Sequence, residues 1–578
     1  MSIRTNPMKA IVVLLKRLSR TRSIFQERGR DESFDGKLEK LSKELENMSE
    51  LFLKVKRNED ELLDTLTEVY GHLGRLDRKR LDEEMDDICQ KIRHSAHKLL
   101  PMEEHQIQQS SHSSSTQYNN IPPFSLPPLN FNQLNENYRL RYFSIYLLLF
   151  PENAIIKRRH FIYFWASHPL ISGLEKGEKL FDELLKLNVF VPYGNGKCPI
   201  VNKFKIHPEF RRHFIEEIGS DIFDEVPGGR YISLLKFSYN LQLGIVGAYL
   251  LTQKKVVVRD QSHPRGEDFI INIGANYLNI QSRWLTRIKF LRVLQLGRWQ
   301  DLPSHHIEVD NENFLEELKN HKSLMYLGLR GISRIFKLPS SIALLENLQI
   351  LDLKACHNLE TLPDDISLMK SLKYLILSQC YLLDAMPKGI EKLAELEVLK
   401  GFVISNSTPC KISDLSYLKR LRRLSIHIKV DAVIKDMEFG SLKNFPALVH
   451  LKISWGASDK RHRDIPITTL PSTLKKLHLE CFFGQKIPEW LKPSKLPSEV
   501  KELKLTGGKL QSMNHDGDMD KWAIEILHLK YLKDLEIDIQ ILLELFPFLR
   551  YVEMKKVSKH RYSEWSSVEE KGKSKFVS

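Results

Sequence analysis

The sequence predicts a multidomain α plus α/β protein: an N-terminal helical coiled-coil bundle, a winged-helix domain and a C-terminal leucine-rich-repeat solenoid. Three observations carry that expectation. Between residues 34 and 76 apolar side chains alternate three- and four-residue steps, the spacing of a helical seam. Residues 134–218 combine short apolar helices with a terminal hairpin pattern. From Leu291 onward a Leu-x-x-Leu-x-Leu hexad recurs, with most starts 24 to 27 residues apart, the period of leucine-rich repeats. A chain of 578 residues exceeds what one core can organise, and its 42% hydrophobic content supplies several cores.

Residues 1–33 form a basic lead-in, with Arg4, Lys9, Lys16, Arg17, Arg20 and Arg22 and no acid in the first 26 positions. Its apolar stretch Ile11–Leu15 is too short for a secretory core, which leaves a disordered segment, a transit peptide or a membrane-surface helix. Over 34–100 a coiled-coil helical domain is expected from Leu38, Leu41, Leu45, Met48, Phe52, Val55, Leu62, Leu66, Val69, Leu73 and Leu76. A second apolar phase (Leu81, Met85, Ile88, Ile92) follows Gly71 and Gly74, so several helices folding back on one another are expected rather than one rod. Residues 101–133 are a Ser/Gln/Pro linker whose composition cannot build a core. The winged-helix domain is placed at 134–225, with a buried helix at Tyr142–Phe150 that stops at Pro151 and a hairpin across Val189–Phe204. A connector over 226–283, the solenoid over 284–557 and a charged tail over 558–578 complete the chain.

The hexads begin at Leu291, Leu324, Leu348, Leu372, Leu396, Leu421, Leu448, Leu474, Val500, Leu532 and Leu549. Their first, fourth and sixth positions point inward. One repeat cannot bury its apolar face, so neighbours must stack into a curved solenoid with a strand-lined concave surface. The six cysteines form no CxxC pair and no zinc spacing. Cys356 and Cys380 fall where Asn or Cys turns the chain out of the strand, which makes them structural thiols suited to a reducing compartment. On the concave side early repeats place Val293, Tyr326, Ile350, Tyr374, Ile376 and Val398. Middle repeats place Arg423, His427, His450, Lys452, Lys476, His478 and Lys504, with Glu480 and Glu502 as exceptions. The tenth repeat is read as acidic through Asp534, Glu536 and Asp538. An apolar, then basic, then acidic face suits a protein ligand with an acidic segment. The formal charge of +14 is a modest excess, 87 basic against 73 acidic residues, and fits a solvated surface as well as an acidic partner.

Four stretches resemble one family. Leu140 to Asn153 (LRYFSIYLLLFPEN) is similar to the "LKxCFLYCxLFPED" segment of plant coiled-coil, nucleotide-binding, leucine-rich-repeat disease-resistance proteins of the RPP13-like type. Phe161 to Ala166 looks like that family's "LIxLWIAEGF" helix, Ile206-His207-Pro208 stands where it keeps "MHD", and Glu59-Asp60-Glu61-Leu62-Leu63-Asp64 resembles its acidic "EDVID" motif. The resemblance implies an immune receptor, with Glu59, Asp60 and Asp64 in the coiled-coil motif. It also implies a nucleotide-binding domain of a few hundred residues between coiled coil and winged helix, where this chain has only the linker. A phosphate-cradling loop needs Gly-x-x-x-x-Gly-Lys-Ser/Thr, and no such string occurs: Val191 precedes Gly196-Lys197 and Leu503 precedes Gly508-Lys509 where the first Gly is required. His207 is therefore read as a degenerate relic or packing residue, and the nucleotide switch as lost.

No other motif carries chemistry. Asp516-Gly517-Asp518-Met519-Asp520 starts like a calcium loop but has Lys521 and Leu527 where Gly and Glu are needed. His305-His306 with Asp310 has no metal-ligand spacing, and Asn406-Ser407-Thr408 is a glycosylation string without a secretory signal. The expectation is a non-enzymatic defence protein with no cofactor, no metal and no small-molecule substrate. Its expected partners are an acidic protein on the concave face and a coiled-coil partner or full-length immune receptor; peripheral membrane contact is left open. Two alternatives stand beside it: a leucine-rich adaptor such as a ubiquitin-ligase substrate receptor, and a winged-helix nucleic-acid binder using Lys157-Arg158-Arg159-His160. The expected location is the cytoplasm, with a membrane-associated or nuclear pool as variants.

Overall fold

The computed structural model describes residues 129–577 apart from interruptions, the longest at 234–246, 259–268, 457–466 and 558–574, and before them only isolated positions between Leu14 and Leu45. Most of the linker and of the coiled-coil segment, including Glu59, Asp60 and Asp64, lies outside the described residues, as do His305, His306 and the Asp516 turn; the last residues of the linker range, Phe131 to Gln133, are helical instead. The chain divides into two compact units, one built mainly from residues 1–126 and the other from most of the remainder. In the first unit Leu38, Leu41 and Leu45 are helical and buried, at the i, i+3, i+7 spacing of a seam.

The second unit opens with a small mixed module. Helix α1 (Phe131–Glu136) is followed by a buried 3₁₀ turn at Tyr146–Leu149, strand β1 (Ile156–Lys157) and helices α2 (Arg158–Ala166) and α3 (Leu174–Lys186). Strands β2 (Phe190–Pro192) and β3 (Lys203–Ile206) and helix α4 (Pro208–Ile218) complete it. The three strands form an antiparallel sheet in the order β1–β3–β2, so the hairpin expected over Val189–Phe204 is present. On α3, Leu180, Phe181 and Leu184 turn inward at helical spacing. The helix stops because Asn188 takes φ 62°, and two amides cap its carbonyls: Val189 N–H donates to Leu184 O (3.0 Å) and Asn188 N–H to Leu185 O (3.1 Å). Proline 208 is at the first position of α4, where its missing N–H costs nothing. An aromatic cluster fills the centre, with ring centroids of Phe190–Phe204 and Phe161–Trp165 both 4.2 Å apart.

The solenoid starts earlier than the hexads suggest. Strand β4 (Phe223–Val226) ends the range expected as winged-helix domain but joins the solenoid sheet, and the segment expected as a connector supplies β5 (Gly229–Ser233), β6 (Gly247–Leu251), β7 (Lys255–Val258), β8 (Phe269–Asn272) and β9 (Tyr277–Ile280). The repeat strands follow as β10 (Val293–Gln295), the short β11 (Glu308–Val309), β12 (Tyr326–Gly328), β13 (Ile350–Asp352), β14 (Tyr374–Ile376) and β15 (Val398–Ile404). After them come β16 (Arg423–Ile428), β17 (His450–Trp455), β18 (Lys476–Phe482), β19 (Glu502–Gly508), β20 (Ile526–Lys530), β21 (Tyr551–Lys555) and β22 (Lys575–Val577). One sheet runs β22 through β12 in sequence, then β10–β8–β6–β5–β4. It is parallel from β22 to β6 and antiparallel at β4–β5–β6. A second sheet, β11–β9–β7, flanks the first repeats.

The inward leucines make one continuous core; Leu324, Leu327, Leu329, Leu348, Leu351, Leu353, Leu372 and Leu375 are each fully buried. Burying one such side chain is worth about 1.5–3 kcal/mol, which repeats along the stack. Two residues past the last inward leucine the backbone turns left-handed in repeat after repeat: Gly331 (φ 75°), Ala355 (φ 60°), Gln379 (φ 68°), Gly507 (φ 62°) and Tyr531 (φ 57°). Most of these are not glycine, so the stacking of neighbouring repeats offsets a local cost of order 1 kcal/mol each. The next residue locks onto the preceding repeat. The Cys356 thiol donates to Leu329 O (3.1 Å) and the Cys380 thiol to Leu353 O (3.0 Å). Burial pushes the Cys356 thiol up to about 12 and raises Cys380 as well, so neither is a reactive thiolate.

Two hexads read from sequence are corrected. Strand β20 is Ile526–Lys530, paired Leu527↔Leu503 and Leu529↔Leu505, so the tenth hexad is Ile524-x-x-Leu527-x-Leu529. Leu532 and Leu535 are buried beyond the strand instead. The displaced reading put Asp534 and Glu536 on the concave face; they are exposed in the turn after β20, and the concave positions are Ile526, His528 and Lys530. The hexad at Leu396 has Gly401 in its sixth position. A bulge at Gly401 (φ 84°) shifts the register between Lys400 and Phe402, and Phe402 takes the inward place. A Cβ at Gly401 would lie 2.5 Å from the Leu377 carbonyl carbon, so only glycine fits there.

Candidate functional site

The concave face divides between two treatments. Val293, Tyr326, Ile350, Tyr374, Ile376 and Val398 are all buried, and they belong to the same core as the module's Phe143, Tyr146, Phe161 and Trp165. The module lies on the first repeats and covers their apolar stripe. Tyr163 of α2 stacks on Tyr374 (5.3 Å, 21° between planes), Tyr146 packs against Phe269 (5.4 Å) and Phe150 against Trp299 (5.4 Å). Tyr326 and Tyr374, expected to meet a partner, meet the chain's own helix.

Polar contacts fix the seating. His160 Nδ1 donates to Trp299 O (2.9 Å), which assigns its Nε2 as acceptor from the Tyr326 hydroxyl (3.3 Å). Burial, then Arg330, push this imidazole down to about 4, with Asp352 opposing, so it is neutral near pH 7. Asp352 Oδ2 is 4.0 Å away, and with a neutral ring that approach is a contact rather than an ion pair. Lys400 donates to the Tyr163 hydroxyl (2.9 Å) and sits 5.0 Å from its ring centroid. Glu175 and Glu178 on α3 reach Arg422 (2.5 Å) and Arg423 (3.0 Å). Both pairs are partly exposed and contribute orientation more than stability. The basic string weighed for nucleic acid is engaged here: Arg158 pairs with Asp182 (2.8 Å) and His160 faces the repeats.

Beyond β15 the face is charged and largely self-neutralising. Lys452 pairs with Glu480 (2.6 Å), Lys476 with Glu502 (2.5 Å) and Lys530 with Glu553 (2.5 Å), each across one strand spacing. His528 lies 2.7 Å from Glu553 and 3.8 Å from Glu502. His427 Nδ1 meets Ser454 Oγ at 3.1 Å, and that hydroxyl donates to Ile426 O (3.1 Å), so the imidazole is the donor. His478 meets Thr506 Oγ1 at 3.1 Å and is pushed down to about 2, by burial first and then Lys452 and Lys504. His450 is held well below the usual imidazole range by burial, Arg159, Arg423 and Lys400, and its Nδ1 is buried without a hydrogen-bond partner among the described residues. Lys504 is lowered by burial and then by Lys530 and Lys452.

His207 caps α4. Its Nδ1 accepts from Glu209 N–H (3.3 Å) and its carbonyl accepts from Phe210 N–H (3.1 Å), a role that keeps the side chain buried whatever else it once faced. The residues that the sequence reading passed over are Asp352, Lys354 and Lys400 on the floor and Glu175 and Glu178 on α3. Asp352 and Lys400 occupy the fifth place of their hexads, a signal that was available. Among the described residues no group of three His, Cys, Asp or Glu side chains could hold a metal ion, and no helix is long and apolar enough to cross a membrane.

The second unit carries a parallel sheet with one inward hexad per repeat strand and a cis module on its concave side, and residues 275–558 match the family model described as a leucine-rich repeat region. The chain is similar to disease resistance RPP13-like protein 4 of Arabidopsis thaliana, 28% identical over 420 residues that cover 70% of this chain and 47% of that protein. It thus spans about half the length of that relative. Among solved structures, it is similar to a leucine-rich-repeat protein of Leptospira interrogans (20% identity, 54% of this chain, 78% of that chain, TM-score 0.31). It is also similar to the LRIM1/APL1C complex (12% identity, 54% and 58%, TM-score 0.32).

Proposed function

We propose that this chain is a non-enzymatic, immune-receptor-like protein of plant defence that binds other proteins through its repeats and its N-terminal helices, without the nucleotide switch of its relatives. The observation that carries this is the common core of module and first repeats, centred on Tyr163, Tyr374 and Tyr326. That shared core supports reading the module as part of a binding scaffold rather than as a separate reader of DNA. The order helix, strand, two helices and hairpin, with strands in the order β1–β3–β2, supports the winged-helix reading of that module. The similarity to a disease-resistance protein supports the defence context, and the absence of a phosphate-loop string from the sequence supports a switchless protein. With the apolar half of the concave face covered in cis, partners are left the charged later repeats and the N-terminal helices. A cytoplasmic location goes with this reading.

The test is affinity purification from plant tissue of the full chain and of a version lacking residues 1–100, with partners identified by mass spectrometry. Immune receptors or defence kinases captured by the full chain and lost on deletion support a helper acting through its helices; partners that persist make the repeats the working surface. Predominant capture of ubiquitin-ligase subunits by both versions would sink the defence reading in favour of the adaptor one.

A further inference from the structure

We propose that Lys504, on the open half of the concave face, is the docking point for one carboxylate of an acidic polypeptide lying against strands β17 to β21. Four lysines stand on β17 to β20: Lys452, Lys476, Lys504 and Lys530. Three glutamates stand among them on β18, β19 and β21, and each is taken. Glu480 pairs with Lys452 (2.6 Å), Glu502 with Lys476 (2.5 Å) and Glu553 with Lys530 (2.5 Å). Lys504 is the lysine left over. Among the described residues it has no hydrogen bond and no ion pair.

The strand register shows why. Lys452, His478, Lys504, His528 and Glu553 face one another in turn across β17 to β21, about 4.8 Å apart at the backbone. Lys504 therefore stands between two imidazoles, and both are engaged: His478 with Thr506 Oγ1 (3.1 Å) and His528 with Glu553 (2.7 Å). Along β19 its same-face neighbours are Glu502, held by Lys476, and Thr506, held by His478. The side chain is half-buried, and burial, then Lys530 and Lys452, lower its ammonium against the pull of Glu480 and Glu553. A charge in that setting gains from an acceptor supplied from outside.

The surplus is one charge, and that selects the ligand. A nucleic acid or a polyphosphate needs several free cations together, whereas here three of the four lysines are neutralised within the ladder. A single carboxylate suffices. The chain itself shows the mode of contact: Glu175 and Glu178, three residues apart on α3, pair with Arg422 and Arg423 at the start of β16. Lys504 lies three strands further along the sheet. There β18 and β19 each run seven residues, about 23 Å of wall for a polypeptide to lie against. Ile526, half-buried at the concave position of β20 opposite Glu502, offers an apolar contact beside the cation. Taking the repeats as the protein-binding surface proposed above, the partner must present an Asp or Glu with an apolar residue close by.

The experiment pans a phage library of random dodecapeptides on the full chain and measures the enriched peptides by fluorescence anisotropy. The expected result is an Asp or Glu shared by those peptides. Their affinity should fall about tenfold or more in Lys504→Gln, the scale of one charge-assisted hydrogen bond, and be kept in Lys504→Arg. Lys504→Glu should lose the acidic peptides and bind versions carrying Lys at the shared position. Lys388→Gln, exposed and outside the strands, should change nothing. Thermal melts give the second readout: Lys504→Gln should melt at or above wild type, because no pair within the chain is broken. A clear drop would reveal a partner inside the chain and overturn the site. Enriched peptides without a shared acid, or equal affinity in wild type and Lys504→Gln, sink this site yet leave the repeats as a protein-binding surface. No enrichment at all counts against both. Tighter binding of a short DNA duplex that also requires Lys504 would overturn the polypeptide class.

Discussion

From β10 to β15 the concave positions are Val293, Tyr326, Ile350, Tyr374 and Val398, and the strands of the first four repeats are three residues long. From β16 to β20 the corresponding positions include Arg423, His450, Lys476 and Glu502, and the strands run five to seven residues. The inward leucines are the same in both halves. What differs is the side chains between them, and that decides what lies on the face: the apolar half takes a piece of its own chain, and the charged half builds ladders of ion pairs. The bulge at Gly401 sits at the changeover, where β15 lengthens to Val398–Ile404. In a repeat protein the core is thus a poor guide to partners, because every repeat has nearly the same core.

The contrast can be broken at four points, in falling order of expected effect. Leu375→Ala opens a cavity in the shared leucine core and should cost about 2–5 kcal/mol in denaturant unfolding; a loss below 1 kcal/mol would mean the stack is not the main source of stability. Tyr163→Ala removes the stack on Tyr374 and the acceptor for Lys400, an expected cost of about 3 kcal/mol. Its signature is local: amide exchange should rise in α2 and α3 and stay unchanged in β17–β20. Uniform acceleration would refute separate treatment of the two halves.

The third point is pH. His160 is lowered from 6.5 to about 4 in the folded chain, so between those values the unfolded state binds more protons. The stability it contributes is complete above pH 6.5 and is lost as pH falls towards 4, at most about 3 kcal/mol. Melting of His160→Gln should lack that part of the acid dependence; an identical profile would discard the role assigned to the imidazole. The smallest effect belongs to the charged half. Lys476→Ala removes a half-exposed partner of Glu502 and should change stability by less than about 1 kcal/mol, measured by thermal melts at low and high salt.

Several parts of this molecule were legible in the residues. The hexads at Leu324, Leu348 and Leu372 follow the register of β12–β14 because the side-chain period of a strand is fixed. The stop of the buried segment before Pro151, the hairpin and the helix after His207-Pro208 follow from equally local rules. The Leu532 hexad failed where two leucine patterns overlap; Ile524 keeps 24 residues from Val500 and 25 to Leu549, and even spacing was the signal to follow. The N-terminal strands were missed because hexads are degenerate there: Asn272 takes an inward place, using its side chain to bond Ala275 O and Leu296 O (both 2.9 Å).

Periodicity alone therefore determined the repeats from Leu291 onward, most of their inward residues and the inert thiols, since each depends on neighbours a fixed distance away in sequence. Which residues would cover Tyr326 and Tyr374, that Glu178 would answer Arg423 across 245 positions, and that Lys400 would donate to the Tyr163 hydroxyl were decided only by the tertiary structure. These contacts depend on the angle at which the module meets the repeats, and that angle is set by the summed packing of two surfaces, which no local pattern encodes.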